Sequence, residues 1–330
     1  MKTKRLNNNI PTMRIPILVR LSAILLILTS VSCVRTESTV DLVAESSKEL
    51  TEIAFLIDEF QEEAETKTST VLENNNIIYA WEPTDTIGIF PNTGYQVAFP
   101  IGSQAGDSYA TFDGGGWALK DNATYSAYYP FEYMNKRANQ IPLVFTGQVQ
   151  NGNNLNHIGN YDYLASVPTA PANGAVTFLL KHMACLVWLN LTMPVATTFT
   201  TISISSSQPV FKTAVYVNIL DENLPLTPAA KSDHVVLNLQ NVTVDGNKLL
   251  QAFMMVAPTD IGDAEYRISA VDDAGRIYQA DLSTGYNKVF KKGGKKKITA
   301  TLSLVSEPGT GKITTGEDIF GEDMVLEIKY

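Results

Sequence analysis

The sequence has little of what most enzymes and metalloproteins use for chemistry. It contains two cysteines and three histidines in 330 residues. No two histidines lie within about five residues of each other, so a local zinc-binding motif is excluded. Nucleophile elbows, metalloprotease helices and phosphate-binding loops do not occur. A pair of glycosidase carboxylates needs no fixed spacing, so the sequence does not exclude it. We predict a non-enzymatic protein without cofactor or metal.

Positive charge is also scarce. Charged residues make up 18% of the chain and its net charge is −9. The first 32 residues hold five basic residues and no acidic one, which leaves 20 basic and 34 acidic residues beyond them, a net charge of −14. Because such a body repels a phosphate backbone, nucleic acid is not expected as a partner.

The apolar run near the N-terminus is short. Leu21–Val31 has about eleven uncharged residues, whereas a helix that spans a membrane needs about 20. Arg14 and Arg20 precede the run and small residues follow it. This layout is typical of a secretory signal peptide, which we assign to residues 1–32.

The end of this signal resembles the cleavage site of bacterial lipoproteins. Ser30-Val31-Ser32-Cys33 matches a lipobox, although Ser replaces the more usual Leu three residues before Cys33. We predict that Cys33 carries acyl chains such as palmitate and that translation starts at Met1 or Met13. The alternative is a secreted protein with an unmodified cysteine. Cys185 then lacks a disulfide partner and is expected to be buried.

Residues 33–76 are polar and acidic, and they form the predicted N-terminal tether. Leu50, Ile53, Ile57 and Phe60 recur within them at spacings of three and four, which is one face of a helix. Three interpretations stay open: a mobile tether, a helix packed on the body, or a strand that pairs into it.

From Ile77 onward, short apolar runs alternate with turn residues about every 8–14 positions, which is typical of all-β sandwiches. The chain length suggests two domains, and we place them at 77–174 and 175–330. The apolar stretch 175–193 is predicted to be one long buried strand. Six lysines between 288 and 297 are interpreted as a solvated hairpin tip.

Five aromatic side chains fit either of two roles. In a β protein they usually form the core or cross-strand pairs. If they shared one exposed face, they would instead stack on sugars. They are Trp81, Trp117, Tyr125, Tyr128 and Tyr129.

Several short motifs follow one another along the chain. They are Trp81–Phe90, Tyr125–Phe131, Asp162–Leu164, Phe178–Ala184 and Phe253–Pro258. Each motif is weak alone, and the ordered set together with the lipobox is more specific. This order resembles the fimbrillin (FimA/Mfa-like) family of Bacteroidetes, the subunits of type V pili.

This resemblance implies two transthyretin-like β-sandwich (Greek-key) domains and transport to the outer membrane as a surface-exposed lipoprotein. It also implies that a trypsin-like protease removes the N-terminal segment and that a strand from a neighbouring subunit fills the groove left behind. Lys67 is our first candidate for this cleavage, followed by Lys48 and Arg35.

The C-terminus has the pattern of a strand. Met324, Leu326, Ile328 and Tyr330 alternate with mostly polar residues, which fits either a donor strand or an ordinary last strand. We expect a fimbrial shaft, tip or anchor subunit that serves adhesion. Its partners would be other fimbrial subunits, the outer membrane and a host or bacterial surface ligand. The alternative is a surface-anchored glycan-binding lipoprotein.

Overall fold

The computed structural model describes residues 47–58, 71–73, 76–78, 80–103 and 105–306. Within these ranges the regular structure consists of strands and one short 3-10 helix, so the expected all-β class is confirmed. No helix there is long and apolar enough to span a membrane. Several predicted features lie outside the described residues: the signal peptide, Cys33, Arg35, Lys67 and the C-terminal strand of Met324, Leu326, Ile328 and Tyr330.

The strands are numbered along the chain. The first eleven are β1 (Glu52–Ile57), β2 (Val71–Glu73), β3 (Asn76–Ile78), β4 (Thr86–Pro91), β5 (Val97–Ser103), β6 (Tyr109–Phe112), β7 (Tyr125–Tyr129), β8 (Ile141–Val144), β9 (Gln148–Asn151), β10 (Leu164–Ala165) and β11 (Ala175–His182), with the 3-10 helix Asn156–Asn160 before β10. The remaining twelve are β12 (Cys185–Thr192), β13 (Thr198–Ser206), β14 (Phe211–Val217), β15 (Leu226–Ser232), β16 (His234–Thr243), β17 (Leu249–Val256), β18 (Thr259–Asp260), β19 (Tyr266–Asp272), β20 (Ile277–Asp281), β21 (Val289–Phe290), β22 (Lys295–Thr301) and β23 (Ser303–Ser306).

Seven strands close into a barrel in the order β1-β11-β10-β7-β4-β5-β6. Inward and outward positions alternate along each strand, and the inward apolar side chains fill the interior. In β11, for example, Val176, Phe178 and Leu180 are buried, while the residues between them are exposed. Phe178 joins Phe55, Phe99 and other apolar side chains in one buried cluster.

The apolar stretch 175–193 forms two strands rather than the single long strand we expected. Met183 and Ala184 interrupt the strand, and β11, before them, completes the barrel. β12, after them, pairs antiparallel with β17 and parallel with β22. Alternate residues of β12 enter two different cores. Val187 faces the larger core, and Trp188 faces a second core that reaches back toward the barrel. Burial on both faces explains the uninterrupted apolar sequence.

The C-terminal sheets recruit strands from earlier in the chain. β8 pairs with β14, and β9 extends the sheet β23-β20-β19-β13-β16 in parallel with β16. Strand pairing therefore links segments on both sides of residue 174, where we placed the domain boundary. That boundary stays a prediction.

Two buried glutamines of β9 cover the open edge of β17. Gln148 Oε1 accepts a hydrogen bond from the Met255 amide (2.8 Å), and Gln150 Oε1 accepts one from the Phe253 amide (2.9 Å). The same side chains donate to the carbonyls of Met255 (2.7 Å) and Gln251 (3.1 Å). Each amide side chain thus replaces a neighbouring backbone, and the edge is satisfied without another strand.

Candidate functional site

The strand β1 comes from the predicted tether and lies inside the barrel wall. It pairs in parallel with β11 from Glu52–Ala175 to Ile57–Leu180, and antiparallel with β6 on its other side. Of the three interpretations left open for this segment, the structure has the strand, and the helix expected from the spacing of three and four is wrong for residues 52–57. Since both edges of β1 are paired, its removal would leave β6 and β11 as open edges.

The side chains of β1 anchor it to the barrel core. Phe55 is fully buried, with its ring stacked 4.8 Å from that of Phe178 and edge-on at 4.8 Å to that of Phe112. Burial of a phenylalanine contributes about 1.5–3 kcal/mol. Ala54 and Ile57 are also buried, whereas Leu56 is 38% exposed. A hydrophobic groove would therefore open if β1 left.

Hydrogen bonds hold the chain just before and just after β1. The Lys48 amide donates to Asp121 Oδ1 (2.9 Å), and the Asp121 amide donates to the Lys48 carbonyl (3.0 Å). The Asp58 amide donates to the Leu180 carbonyl (2.7 Å). A cut at Lys48 or Arg35 would lie before β1 and leave it joined to the body. Among the three candidate sites, only Lys67 follows β1 in the sequence.

The motifs that suggested the family have structural roles around this barrel. Trp81 is buried, and its indole Nε1 donates to the Ser108 carbonyl (3.1 Å). Asp85 accepts hydrogen bonds from the Glu82 amide (2.7 Å) and from the Tyr129 hydroxyl (2.8 Å). Burial and the nearby Asp85 carboxylate raise the pKa of Tyr129, so its hydroxyl remains a donor. These groups hold the turn that leads into β4.

Solved structures share the overall fold. A candidate cell adhesion protein from Bacteroides uniformis aligns with a TM-score of 0.53 and 17% identity, over 77% of this chain and 96% of its own. A second, from Bacteroides ovatus, aligns with a TM-score of 0.50 and 13% identity, over 79% and 97%. The chain has the fold of these Bacteroides proteins. The predicted resemblance is confirmed at that level.

A fimbrial protein from Bacteroides ovatus aligns more loosely, with a TM-score of 0.38 and 13% identity over 78% of this chain and 52% of its own. No protein-family model matches the chain. No curated protein matches it in sequence.

The five predicted aromatics do not share an exposed face. Trp81, Tyr125 and Tyr128 are buried and Tyr129 is partly buried, so these four serve the core. Trp117 alone of the five is exposed, at 68%. Two other exposed aromatics, Tyr95 and Tyr133, were not predicted, because they lie in loops, where no periodicity marks them.

The lysine cluster is only in part a hairpin tip. Lys295, Lys296 and Lys297 belong to β22 rather than to the turn. Lys297 Nζ lies 4.0 Å from the centre of the Trp188 ring, a cation–π contact. Lys296 donates to the carbonyls of Asn287 and Val289. Burial lowers the pKa of Lys295 and Lys296, which is the opposite of the solvation we expected.

Two buried groups that could carry chemistry, Cys185 and His182, have structural explanations. Cys185 is buried as expected, and burial raises its pKa to about 12, which keeps the thiol protonated and unreactive. His182 Nδ1 donates to Asp162 Oδ1 at 2.7 Å, with both side chains 1% exposed. Within the described ranges, no three His, Cys, Asp or Glu side chains are grouped as metal ligands would be.

Proposed function

We propose that this chain is a non-enzymatic subunit of a surface fimbria that assembles by protease-triggered strand exchange and serves adhesion. The observation that carries the proposal is β1, a strand from the N-terminal segment that closes the barrel through its pairing with β6 and β11. A strand inserted in this way covers a groove until it is replaced, and β-augmentation by another subunit would fill the same groove.

The position of Lys67 supports release of this strand. It is the only basic residue between Ile57 and Lys120 in the sequence. A trypsin-like cut there would separate β1 from the body together with the lipid on Cys33. After the cut, only non-covalent contacts would hold β1 in place. A neighbouring subunit could then compete for its position.

The C-terminal sequence is suited to the vacated groove. Met324, Leu326 and Ile328 would take the positions of Ile53, Phe55 and Ile57 if the donor ran in the direction of β1. This register places Val325 at the buried position of Ala54 and Glu327 at the exposed position of Leu56. The alternative register, shifted by two residues, would bury Glu327 at the Ala54 position. We therefore propose the first register.

The remaining features belong to the same proposal. The two domains would be transthyretin-like sandwiches of the fimbrillin type, and Cys33 would carry the acyl chains that anchor the precursor to the outer membrane. The Bacteroides neighbours described as candidate cell adhesion proteins support a role in surface adhesion. The partners would be other fimbrial subunits.

Mild trypsin digestion of the Cys33→Ala precursor tests the proposal. We expect one cut after Lys67, identified by mass spectrometry, and a ladder of oligomers on unheated SDS gels. Lys67→Ala is the control, which should give neither the cut nor the ladder. A Lys67-cut protein that stays monomeric in the presence of its own C-terminal strand would contradict polymerisation by strand exchange.

A further inference from the structure

A hydrophobic groove lies at one mouth of the barrel, where Leu119 also accepts a backbone hydrogen bond from Leu50, just before β1 (2.9 Å). The loops after β4, β6 and β7 surround it, and it has a volume of about 770 Å³. Ile89 and Leu119 line its floor, and Tyr95, Trp117 and Tyr133 line its rim. We call it the mouth groove. Its volume lies within the range of about 300–1,000 Å³ that is typical of ligand sites, which favour the mouths of β-barrels.

The rim consists of large hydrophobic side chains that are unusually exposed to solvent. Tyr95, Trp117 and Tyr133 are 81%, 68% and 71% exposed, and Met134, beside Tyr133, is 72% exposed. The other large hydrophobic side chains among the described residues are at most 48% exposed. Three of the four most exposed ones thus line a single groove, and the fourth, Met134, follows Tyr133 in the sequence. Exposed hydrophobic patches of this kind mark binding surfaces.

Hydrogen bonds hold the loops of the rim in place. Gln96 Nε2 donates to the carbonyls of Glu132 (2.9 Å) and Tyr133 (3.3 Å), and the Tyr128 hydroxyl donates to Gln96 Oε1 (2.5 Å). Lys136 Nζ donates to the Tyr133 carbonyl (2.5 Å) and lies 3.9 Å from the centre of its ring. Loops fixed in this way offer a preorganised surface, which lowers the entropic cost of binding.

The backbone around the groove excludes an added β-strand. β4 is paired with β5 and β7, β5 is also paired with β6, and β7 is also paired with β10. The walls therefore offer no open edge, and recognition has to use side chains. This separates the mouth groove from the proposed donor-strand position, which depends on open edges.

The chemistry of the rim combines apolar faces with free polar tips. Within the described part of the chain, the Trp117 indole N–H and the hydroxyls of Tyr95 and Tyr133 have no hydrogen-bond partner. Lys136 is the only charged residue among those that line the groove. The negative faces of aromatic rings attract the weakly positive C–H groups of a pyranose, while the polar tips suit its hydroxyls. A purely apolar ligand would leave these tips unused.

We propose that the mouth groove binds a neutral or acidic glycan, with pyranose rings stacked on Trp117, Tyr133 and Tyr95. Lys136 would contact a carboxylate where the sugar is acidic. This inference deepens the adhesive role and rests on the surface location in the proposed function, but it does not require strand exchange.

The uncut Cys33→Ala chain allows a direct test by affinity electrophoresis in gels that contain mannan, xylan or hyaluronan. We expect retardation in at least one, with Kd then measured by titration. Trp117→Ala and Tyr133→Ala should each weaken binding about tenfold or more, as for loss of a central aromatic anchor. Tyr216→Ala is the matched control, since Tyr216 is 39% exposed but lies on β14 outside the groove.

Tryptophan fluorescence gives a second readout. Of the three tryptophans, Trp81 and Trp188 are 1% and 3% exposed, so Trp117 alone is open to solvent. The bound polysaccharide should protect it from acrylamide quenching. Lack of retardation in all three gels overturns the proposal, and so does binding that both alanine variants retain. A trypsin ladder without glycan binding would reject this inference alone, whereas glycan binding without a ladder would reject strand exchange alone.

Discussion

β1 and β22 both run parallel to a long buried strand, yet the chain holds them in different ways. β22 pairs with β12 at the edge of its sheet, and β23 follows it after one residue. β1 lies between two partners in a closed barrel, and residues 58–70 separate it from the next strand. The more deeply inserted strand is therefore the one with the longer connection. Barrel closure thus resembles a binding event that happens within one chain.

The largest expected effect is on the free energy of unfolding, and it should distinguish β1 from β22 once the chain has been cut. Phe55→Ala should lower the free energy of unfolding of the intact chain by about 3–5 kcal/mol, and Ile298→Ala in β22 by about 2–5 kcal/mol. Urea denaturation measures both. In the trypsin-cut ladder, the effect of Phe55→Ala should vanish because β1 has left, whereas that of Ile298→Ala should persist. Equal sensitivity of the ladder to both changes would show that β1 had stayed.

The end of β11 allows a test of its buried histidine–carboxylate hydrogen bond. Asp162→Ala should destabilise the chain by about 3 kcal/mol, because it removes the buried carboxylate to which His182 Nδ1 donates. Asp233 also contacts a histidine, His234, at 2.5 Å, but is 60% exposed. Asp233→Ala should cost less than about 1 kcal/mol. Similar losses in thermal unfolding for the two variants would refute the importance of burial here.

A smaller effect is expected where β4 pairs with β7 and Gly88 lies opposite Tyr128. A Cβ atom on Gly88 would lie 2.2 Å from a ring carbon of Tyr128, so the ring would have to move. Gly88→Ala should destabilise the chain by about 1–3 kcal/mol. Gly246→Ala is the control, since no atom lies within 4 Å of the added Cβ, and its effect should stay within about 0.5 kcal/mol. Calorimetry can compare the variants.

The smallest effect concerns pH and the core beside β17. His157 Nε2 donates to the Phe253 carbonyl (2.9 Å), and burial lowers the pKa of His157 below its usual 6.5. The stability from this neutral imidazole is present above pH 6.5 and is lost as the pH falls through the lowered pKa. Between about pH 7 and 5, the free energy of unfolding measured in urea should fall more for the wild type than for His157→Gln. Parallel curves for the two proteins would contradict this assignment.

The sequence predicted elements whose burial follows a simple period. β11 alternates between inward and outward residues over its whole length, and it was predicted as part of a buried strand over 175–193. β12 was found but not separated from β11, since burial on both faces removes the period. β1 stayed one of three interpretations of its segment, because its spacing of three and four also fits a helix. Its real partners, β6 and β11, are distant in sequence and invisible to a local pattern.

Contacts between remote segments limited the prediction of sites as well. Gln148 and Gln150 cover the edge of β17 more than 100 residues away, and nothing in a glutamine near a strand indicates that role. Tyr95, Tyr133 and Trp117 line one groove only because three barrel loops converge. Trp81 and Tyr128 belong to the core, which is the more usual place for an aromatic residue in a β protein.

The most direct test of the account locks β1 in place. Leu56 and Tyr109 are opposite each other in β1 and β6, and they form a non-hydrogen-bonded pair, whose Cα atoms lie about 4.5 Å apart and within reach of a disulfide. In Leu56→Cys/Tyr109→Cys/Cys33→Ala, trypsin should cut after Lys67 under oxidising conditions without forming a ladder. Reduction should release β1 and produce the ladder. A ladder from the oxidised, cut protein, or none after reduction, would contradict strand exchange at this position.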